Sequence, residues 1–212
     1  MTETLPQLLE RRRGIPQRTT WLVAAGIVVA GALAYLLFVR DPLDGQQQVV
    51  HRGRPVFNVL LTPGVVRRVR PRDGELLRLV AHRGRVRATE TVRPLRLPAY
   101  EGDVAGVLPV FADGHARRLG ARLPGFRQTF DGKTPIHTAP GYRIGFTYGT
   151  PADPGTGADI LLVPPESPGV RDGVILSLRI ARPSGRLPPR QRRALTAIRV
   201  AFRSFEFGPG RL

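Results

Sequence analysis

The feature that most constrains this chain is an uncharged apolar run near its N-terminus, from Trp21 to Val39. At about 1.5 Å per residue, a helix of nineteen residues is roughly 28 Å long, which matches the hydrocarbon core of a bilayer. Arg18 and Arg40 flank the run, and Trp21 stands at one end, where tryptophan favours the membrane interface. The run therefore predicts a transmembrane helix over residues 19–40.

This span is predicted to remain in the mature protein as a signal anchor. Ala32-Leu33-Ala34 has the small-x-small pattern of a cleavage site, so a cleavable signal peptide is the alternative. However, apolar residues continue over 35–39, where a signal peptide would already be polar.

The basic tail, residues 1–18, carries four arginines, and three more follow within residues 40–54. Because the tail's cluster lies closer to the span, we predict a cytoplasmic N-terminus and an extracytoplasmic C-terminal domain.

The rest of the chain is predicted to form one domain behind a short linker. Residues 41–54 lack apolar periodicity and are predicted to be a juxtamembrane linker, and residues 55–208 to form a single domain. Two stretches, 55–131 and 141–208, have a loosely similar order of strands and helix. The predicted fold class is α+β: one N-terminal transmembrane helix, then a mainly antiparallel β-sheet domain with one or two packed helices.

Strands dominate the predicted domain. With 24 glycines and 21 prolines, the composition indicates many short segments separated by turns. Period-2 alternation predicts strands at 56–61, 65–69, 76–82, 85–97, 126–130, 142–148, 160–163 and 174–180. Arg83-Gly84 is predicted to close a hairpin, and Thr150 to Asp159, which contains Gly155-Thr156-Gly157, is predicted to be a loop with a plain turn.

The stretch 100–123 has two interpretations. Pro109 suits the first position of a helix, and the residues then sharing one face are Phe111, His115 and Leu119. Gly114 and Gly120 each disfavour a helix by about 1 kcal/mol, and Asp113-Gly114 suits a hairpin turn instead. We predict a short helix here.

The clearest amphipathic helix lies near the C-terminus, after Pro188-Pro189. Apolar residues recur at i, i+3, i+7 and i+10, which predicts a face that covers a sheet: Leu195, Ile198, Phe202 and Phe205. Other faces carry Arg192, Arg199 and Arg203, our candidate contacts for an anionic surface. The alternative for these arginines is an ordinary solvated helix face.

The net charge of +17 raises the question of nucleic-acid binding. Aromatic residues are not interleaved with the arginines, and no RNP, KH or zinc-finger pattern occurs, so nucleic acid is a disfavoured partner. Besides the lipid around the span, the predicted partners are anionic lipid or a wall polymer, together with an unspecified envelope protein. The alternative is a cytoplasmic basic domain that binds nucleic acid or anionic lipid.

No catalytic residue, cofactor site or metal site is predicted. The chain has no cysteine, and no pair of histidines has a familiar ligand spacing, so loop or surface positions are expected for His51, His82, His115 and His137. No serine lies in a Gly-x-Ser-x-Gly elbow; the four are Ser167, Ser177, Ser184 and Ser204. Glu101 and Asp103 form a close carboxylate pair, but a turn or helix cap is favoured over acid–base chemistry. A non-enzyme is predicted; the rival is an enzyme whose site assembles only in three dimensions, around His115 or the Glu101/Asp103 loop.

Residues 142–207 resemble the second half of a PsbP-like domain. The matching features are the strand at 141–146, the strand at 173–180 and a final helix that runs into Ser204-Phe205-Glu206-Phe207. The resemblance implies an αβα sandwich around an antiparallel sheet, and an anchored accessory protein of the bacterial envelope rather than an enzyme. The chain departs from that pattern where the β region 56–97 stands in place of a first helix.

These observations predict a single-pass membrane protein of the bacterial cell envelope. Its extracytoplasmic domain is expected to be a non-catalytic binding or accessory module that uses no cofactor.

Overall fold

The computed structural model describes residues 46–165, 171–181 and 186–208. Within them lie strands β1 (Gln47–His51), β2 (Phe57–Leu61), β3 (Arg67–Val69), β4 (Leu77–Arg83), β5 (Val86–Arg96), β6 (Arg127–Lys133), β7 (Gly141–Gly149), β8 (Pro154–Leu162), β9 (Asp172–Ala181) and β10 (Glu206–Phe207), and helices α1 (Val104–Arg122) and α2 (Pro189–Arg203). The predicted α+β class, mainly antiparallel with two helices, is confirmed. The predicted span 19–40 lies outside the described residues, and neither α1 nor α2 combines the length and hydropathy needed to cross a bilayer.

Seven strands form one antiparallel sheet in the order β3-β4-β5-β9-β8-β7-β6. The hairpin predicted at Arg83-Gly84 joins β4 and β5, and Gly84 has the positive φ of 56° that this turn requires. β5 and β9 lie next to each other in the sheet although 75 residues separate the end of one from the start of the other. Long-range pairing therefore organises the core.

The sheet has an apolar surface on each face, and alternate residues of β9 contribute to the two surfaces. Val174, Leu176, Leu178 and Ile180 belong to one apolar cluster, which includes the buried residues of α2. Ile175 packs on the other cluster, which includes the buried residues of α1. The two helices therefore cover opposite faces of the sheet, which we call the α1 face and the α2 face.

α2 confirms the predicted C-terminal helix. Its buried residues are mostly small: Ala194, Ala197, Ile198, Ala201 and Phe202. The helix contacts β2, β4 and β5. Of the predicted apolar stripe, Ile198 and Phe202 are buried and Leu195 is half-buried, while Phe205 lies in the core just beyond the helix end.

α1 confirms the helix predicted within 100–123, but it begins earlier than expected. Its first residue is Val104, so Pro109 lies inside the helix rather than at its first position. The reason is the cap: the Asp103 side chain accepts a hydrogen bond from the Ala105 backbone N–H at 2.9 Å. Tertiary packing of Leu108 and Ala112 on the sheet offsets the backbone bond that the proline removes.

Two segments predicted to be irregular form strands. Residues 47–51, within the predicted linker 41–54, form β1, because each of them pairs with β2 and Val49 is buried. Gly155-Thr156-Gly157 is part of β8 rather than a turn. A Cβ on Gly157 would overlap the Phe146 ring, and one on Gly155 the Tyr148 ring, so these glycines let β7 aromatics lie flat across the strand.

Candidate functional site

A cavity of about 440 Å³ opens on the α2 face, between the last turns of α2, the sheet and the β6–β7 connection. We call it the α2 cleft. Its lining residues are Thr134, Pro135, Ile136, His137, Arg143, Ala158, Ile160, Leu178, Arg199, Phe202 and Arg203. The volume falls within the usual range of small-molecule sites.

The floor of the α2 cleft is apolar and low. Ala158 pairs with Gly145 on one side and with Leu178 on the other, so this row of the sheet has almost no side-chain volume at two adjacent positions. Ile160 and Phe202 complete the apolar surface. The hollow therefore follows from small residues placed side by side, with larger apolar residues around them.

The rim of the α2 cleft is cationic. Arg199 and Arg203 are one helical turn apart on α2, and Arg143 reaches the cleft from β7. All three are exposed, and none forms an ion pair with a described residue. Arg143 also lies over the half-exposed ring of Phe130, 5.7 Å from its centroid. No carboxylate of the described part of the chain lines the cleft, so its electrostatic field favours an anion.

Of the three arginines predicted to contact an anionic surface, two line the cleft and one does not. Arg199 and Arg203 lie together on its rim, but Arg192 does not line it. Arg192 and Arg199 are seven positions apart in sequence, or about 10 Å along the helix axis. The sequence could not reveal Arg143 as the third member, because β7 and α2 meet only in the folded chain.

A buried carboxyl group lies next to the cleft floor. Glu90 is the cross-strand partner of Leu178 and is 0% exposed, and neither of its carboxyl oxygens has a hydrogen-bond partner among the described residues. Burial raises the pKa of Glu90 well above its ordinary value. Sequence reasoning missed this residue, although it stands between Ala88 and Val92 at inward-facing positions of a period-2 strand.

On the α1 face, a second buried carboxylate has two partners. Asp159 Oδ2 lies 2.7 Å from His115 Nε2, and Arg179 Nη1 donates to Asp159 Oδ1 at 2.5 Å. The Arg179 guanidinium also lies over the Phe146 ring, 4.4 Å from its centroid. Burial alone raises the pKa of Asp159, but the hydrogen bonds and positive charge of its two neighbours outweigh burial and hold that pKa below its ordinary value.

The remaining sequence candidates take structural positions. His115 is not a loop residue: it lies in α1 with its side chain 13% exposed, in the ion-pair cluster with Asp159. His51 stacks on Phe57, with ring centroids 4.7 Å apart. Asp103 caps α1, as favoured above. Ser204 accepts from the Leu60 N–H at 2.9 Å, while Ser167 and Ser184 lie outside the described residues.

The metal and enzyme alternatives gain no support from the described residues. No group of three or more His, Asp or Glu side chains in them is placed to hold a metal ion. The residues lining the α2 cleft include His137 and Thr134 but no carboxylate that would orient a histidine. The chemistry that the cleft offers is binding of an anionic group beside an apolar surface.

Comparison with known proteins gives similarities in structure only. No protein-family model and no curated protein matches the chain. The crystal structure of LpqN, involved in cell envelope biogenesis of Mycobacterium tuberculosis, is 18% identical, with a TM-score of 0.49 over 81% of this chain and 95% of LpqN. The solution structure of PsbP from Synechocystis is 9% identical, with a TM-score of 0.45 over 77% of this chain and 93% of PsbP.

A third similar structure is PA94 of Pseudomonas aeruginosa, a protein of unknown function. It is 10% identical, with a TM-score of 0.34 over 65% of this chain and 85% of that one. With all three TM-scores below 0.5, no function is transferred from these proteins.

Proposed function

We propose that this protein is a single-pass, membrane-anchored binding module of the bacterial cell envelope, with its domain on the extracytoplasmic side and no catalytic activity of its own. The α2 cleft is its binding site. The ligand class is an anionic group carried on a short apolar body, such as an alkyl phosphate or a fatty-acid-like carboxylate.

One observation carries this proposal: three arginines that form no ion pair with a described residue surround an apolar floor. Arg143, Arg199 and Arg203 supply donors for a phosphate or carboxylate, and guanidinium groups bind such groups with paired hydrogen bonds. Ala158 and Leu178 supply an apolar surface on which an alkyl chain is removed from water. Neither half alone would distinguish an amphiphile from a plain anion or a plain hydrocarbon.

The binding test uses the full chain in nanodiscs of phosphatidylcholine, titrated calorimetrically with hexyl phosphate. Inorganic phosphate and hexanol are the matched ligands that lack the apolar body or the charge. We expect hexyl phosphate to bind at least about tenfold more tightly than either, since each half of the site is expected to contribute about 1.4 kcal/mol or more. Equal binding of inorganic phosphate would contradict the role of the floor.

Two variants locate the binding. Arg199→Gln/Arg203→Gln removes two rim charges, and Ala158→Leu fills the hollow of the floor, so each is expected to weaken hexyl phosphate binding about tenfold or more. Arg190→Gln/Arg193→Gln removes two exposed charges from the same helix outside the cleft and is expected to leave binding unchanged. Unchanged binding in both cleft variants would show that the ligand binds elsewhere.

The proposed orientation has its own test. Protease treatment of intact cells that express a C-terminally tagged chain is expected to remove the tag. Protection of the tag, followed by cleavage after lysis, would place the domain in the cytoplasm and turn the search towards nucleic acid.

A further inference from the structure

Arg192, which does not line the α2 cleft, belongs to a second basic surface. The tight turn between β4 and β5 carries Arg83 and Arg85, and the first turn of α2 carries Arg190, Arg192 and Arg193. We call these five arginines the turn surface; all are exposed.

The two parts of the turn surface are in contact. A Cβ placed on Gly84 would lie 2.5 Å from Gln191 Nε2, so the Gln191 side chain rests directly against the turn. Gly84 has a positive φ and no side chain, which allows this approach. The β4–β5 turn and the start of α2 therefore form one continuous surface.

The turn surface is not neutralised within the domain. α2 contains no acidic residue, and none of the five arginines forms an ion pair with a described residue. Among the described residues, the one side-chain hydrogen bond that these arginines make is from Arg83 Nη2 to the Gly64 carbonyl, at 3.2 Å. Five cations without an ion-pair partner among the described residues create a positive potential that attracts an extended anionic partner.

The chain's path identifies that partner. Gly64 follows β2 by three residues, and Leu61, the last residue of β2, pairs with Gln47, the first residue of β1. The chain thus enters the domain at the end that carries the turn surface. In the sequence, seven residues separate the apolar run, which ends at Val39, from Gln47. Seven residues span at most about 25 Å when fully extended.

We propose that the turn surface rests on the anionic lipid head groups of the membrane that holds the apolar run. This rests on the anchor in the proposed function but not on the ligand of the α2 cleft. Each arginine near an anionic bilayer strengthens the association by about fivefold, so five arginines are sufficient to hold a tethered domain against the surface.

The absence of native cysteine allows a direct test by single-site labelling. His82→Cys places a fluorophore beside the turn, and Asp73→Cys places one before the opposite end of β4, about 20 Å away along the strand. The full-length chain is reconstituted in nanodiscs that carry a head-group quencher, either in phosphatidylcholine alone or with added phosphatidylglycerol. We expect strong quenching at position 82 with phosphatidylglycerol, reversal in 0.5 M salt, and little change at position 73.

The arginine variants decide which surface is responsible. Arg83→Gln/Arg85→Gln/Arg190→Gln/Arg193→Gln is expected to abolish the added quenching. The control Arg117→Gln/Arg118→Gln/Arg122→Gln/Arg127→Gln also removes four positive charges, but from α1 and β6. It is expected to retain the added quenching. Equal loss in both variants, or quenching at position 73 as strong as at 82, would overturn the proposal.

Two further outcomes separate this proposal from the earlier one. Loss of the labelled chain from membranes on carbonate extraction would refute the anchor itself. Loss of hexyl phosphate binding with quenching intact would refute the ligand of the cleft and leave the turn surface standing. Binding of DNA at low salt by a chain that shows no lipid-dependent quenching would assign the arginines to nucleic acid and overturn the membrane contact.

Discussion

Each face of the large sheet buries a carboxyl group, and the two groups have opposite environments. On the α1 face, Asp159 is 1% exposed and is held by His115 and Arg179. On the α2 face, Glu90 is 0% exposed and has no hydrogen-bond partner among the described residues. Burial raises the pKa of Glu90, which favours its neutral form, whereas the hydrogen bonds and charges of His115 and Arg179 lower the pKa of Asp159, which favours its carboxylate.

This difference separates a face whose buried charge is satisfied within the fold from the face that carries the proposed binding site. The α1 face satisfies its buried charge within the fold, through a network that joins α1, β8 and β9. The α2 face leaves Glu90 unsatisfied beside Leu178, on the floor of the α2 cleft. A buried polar group without a hydrogen-bond partner is a feature that folded proteins retain at functional sites. Glu90 is such a group, and it lies next to the proposed ligand site.

The largest expected loss of stability comes from disrupting the Asp159 network on the α1 face. Asp159→Asn removes the negative charge and leaves Arg179 and His115 without their carboxylate. Removing one partner of a buried ion pair costs about 3–5 kcal/mol, and we expect about 3 because Arg179 remains 24% exposed. Urea unfolding of the full chain in detergent, followed by far-ultraviolet circular dichroism, measures the loss.

Asp113→Asn is the matched control for this substitution. Asp113 pairs with Arg117 on the exposed side of α1, with an N–O distance of 3.2 Å, and such a pair contributes only about 0.3–0.5 kcal/mol. Equal losses in the two variants would show that the buried network adds no more than a surface pair.

On the α2 face, removal of the Glu90 carboxyl group is expected to stabilise the fold. Glu90→Leu replaces an unpartnered acid with an apolar side chain of similar size, among neighbours that include Leu79 and Leu178. We expect a gain of about 2 kcal/mol in the free energy of unfolding at neutral pH, from the same urea titration. A loss of stability would mean that Glu90 has a polar partner in solution and would remove the contrast between the two faces.

The pH dependence of stability gives a third test. The ordinary pKa of a glutamate is 4.5, and burial raises the pKa of Glu90 in the folded chain. As pH rises above 4.5, Glu90 therefore loses its proton in the unfolded chain but keeps it in the folded chain. The unfolded state then binds fewer protons, so the contribution of Glu90 to stability is full below pH 4.5 and falls as pH rises towards the folded pKa. The slope is up to about 1.4 kcal/mol per pH unit.

Glu90→Gln isolates this effect, because it keeps the shape of the side chain and cannot ionise. The stability of the variant minus that of the native chain is expected to grow from pH 4.5 to pH 7. Asp159 has the opposite sign: its lowered pKa gives stability that is lost only as pH falls below its ordinary value of 3.8. A difference that does not change with pH would show that Glu90 is ionised in the folded chain.

The part of this fold that the sequence predicts is the part with local signals. The alternation of β9, the tight turn at Gly84 and the apolar stripe of α2 are each contained within fifteen residues, and all three were predicted. β1 and the start of β8 were not, because their strand state comes from pairing with distant strands rather than from their own composition.

The sites depend even more on distant contacts. His115 and Asp159 are 44 residues apart, and neither has a neighbour in sequence that indicates the other. The α2 cleft needs Arg143 from β7 beside Arg199 from α2. Sequence alone could nominate the two arginines on one helix face, but not the strand residue that completes the rim or the small residues that lower its floor.

The smallest expected effect concerns how each helix begins. Asp103 caps α1 through its side chain, whereas α2 begins after Pro188 without a side-chain cap. Asp103→Ala is therefore expected to cost about 1 kcal/mol, and Asp103→Asn, which keeps an acceptor, only a few tenths. Hydrogen exchange should rise first at the amide of Ala105. If Asp103→Ala left that amide protected, α1 would be held by its packing and the Asp159 network alone, and the α1 face would be stabilised more by its buried charge than by its helix end.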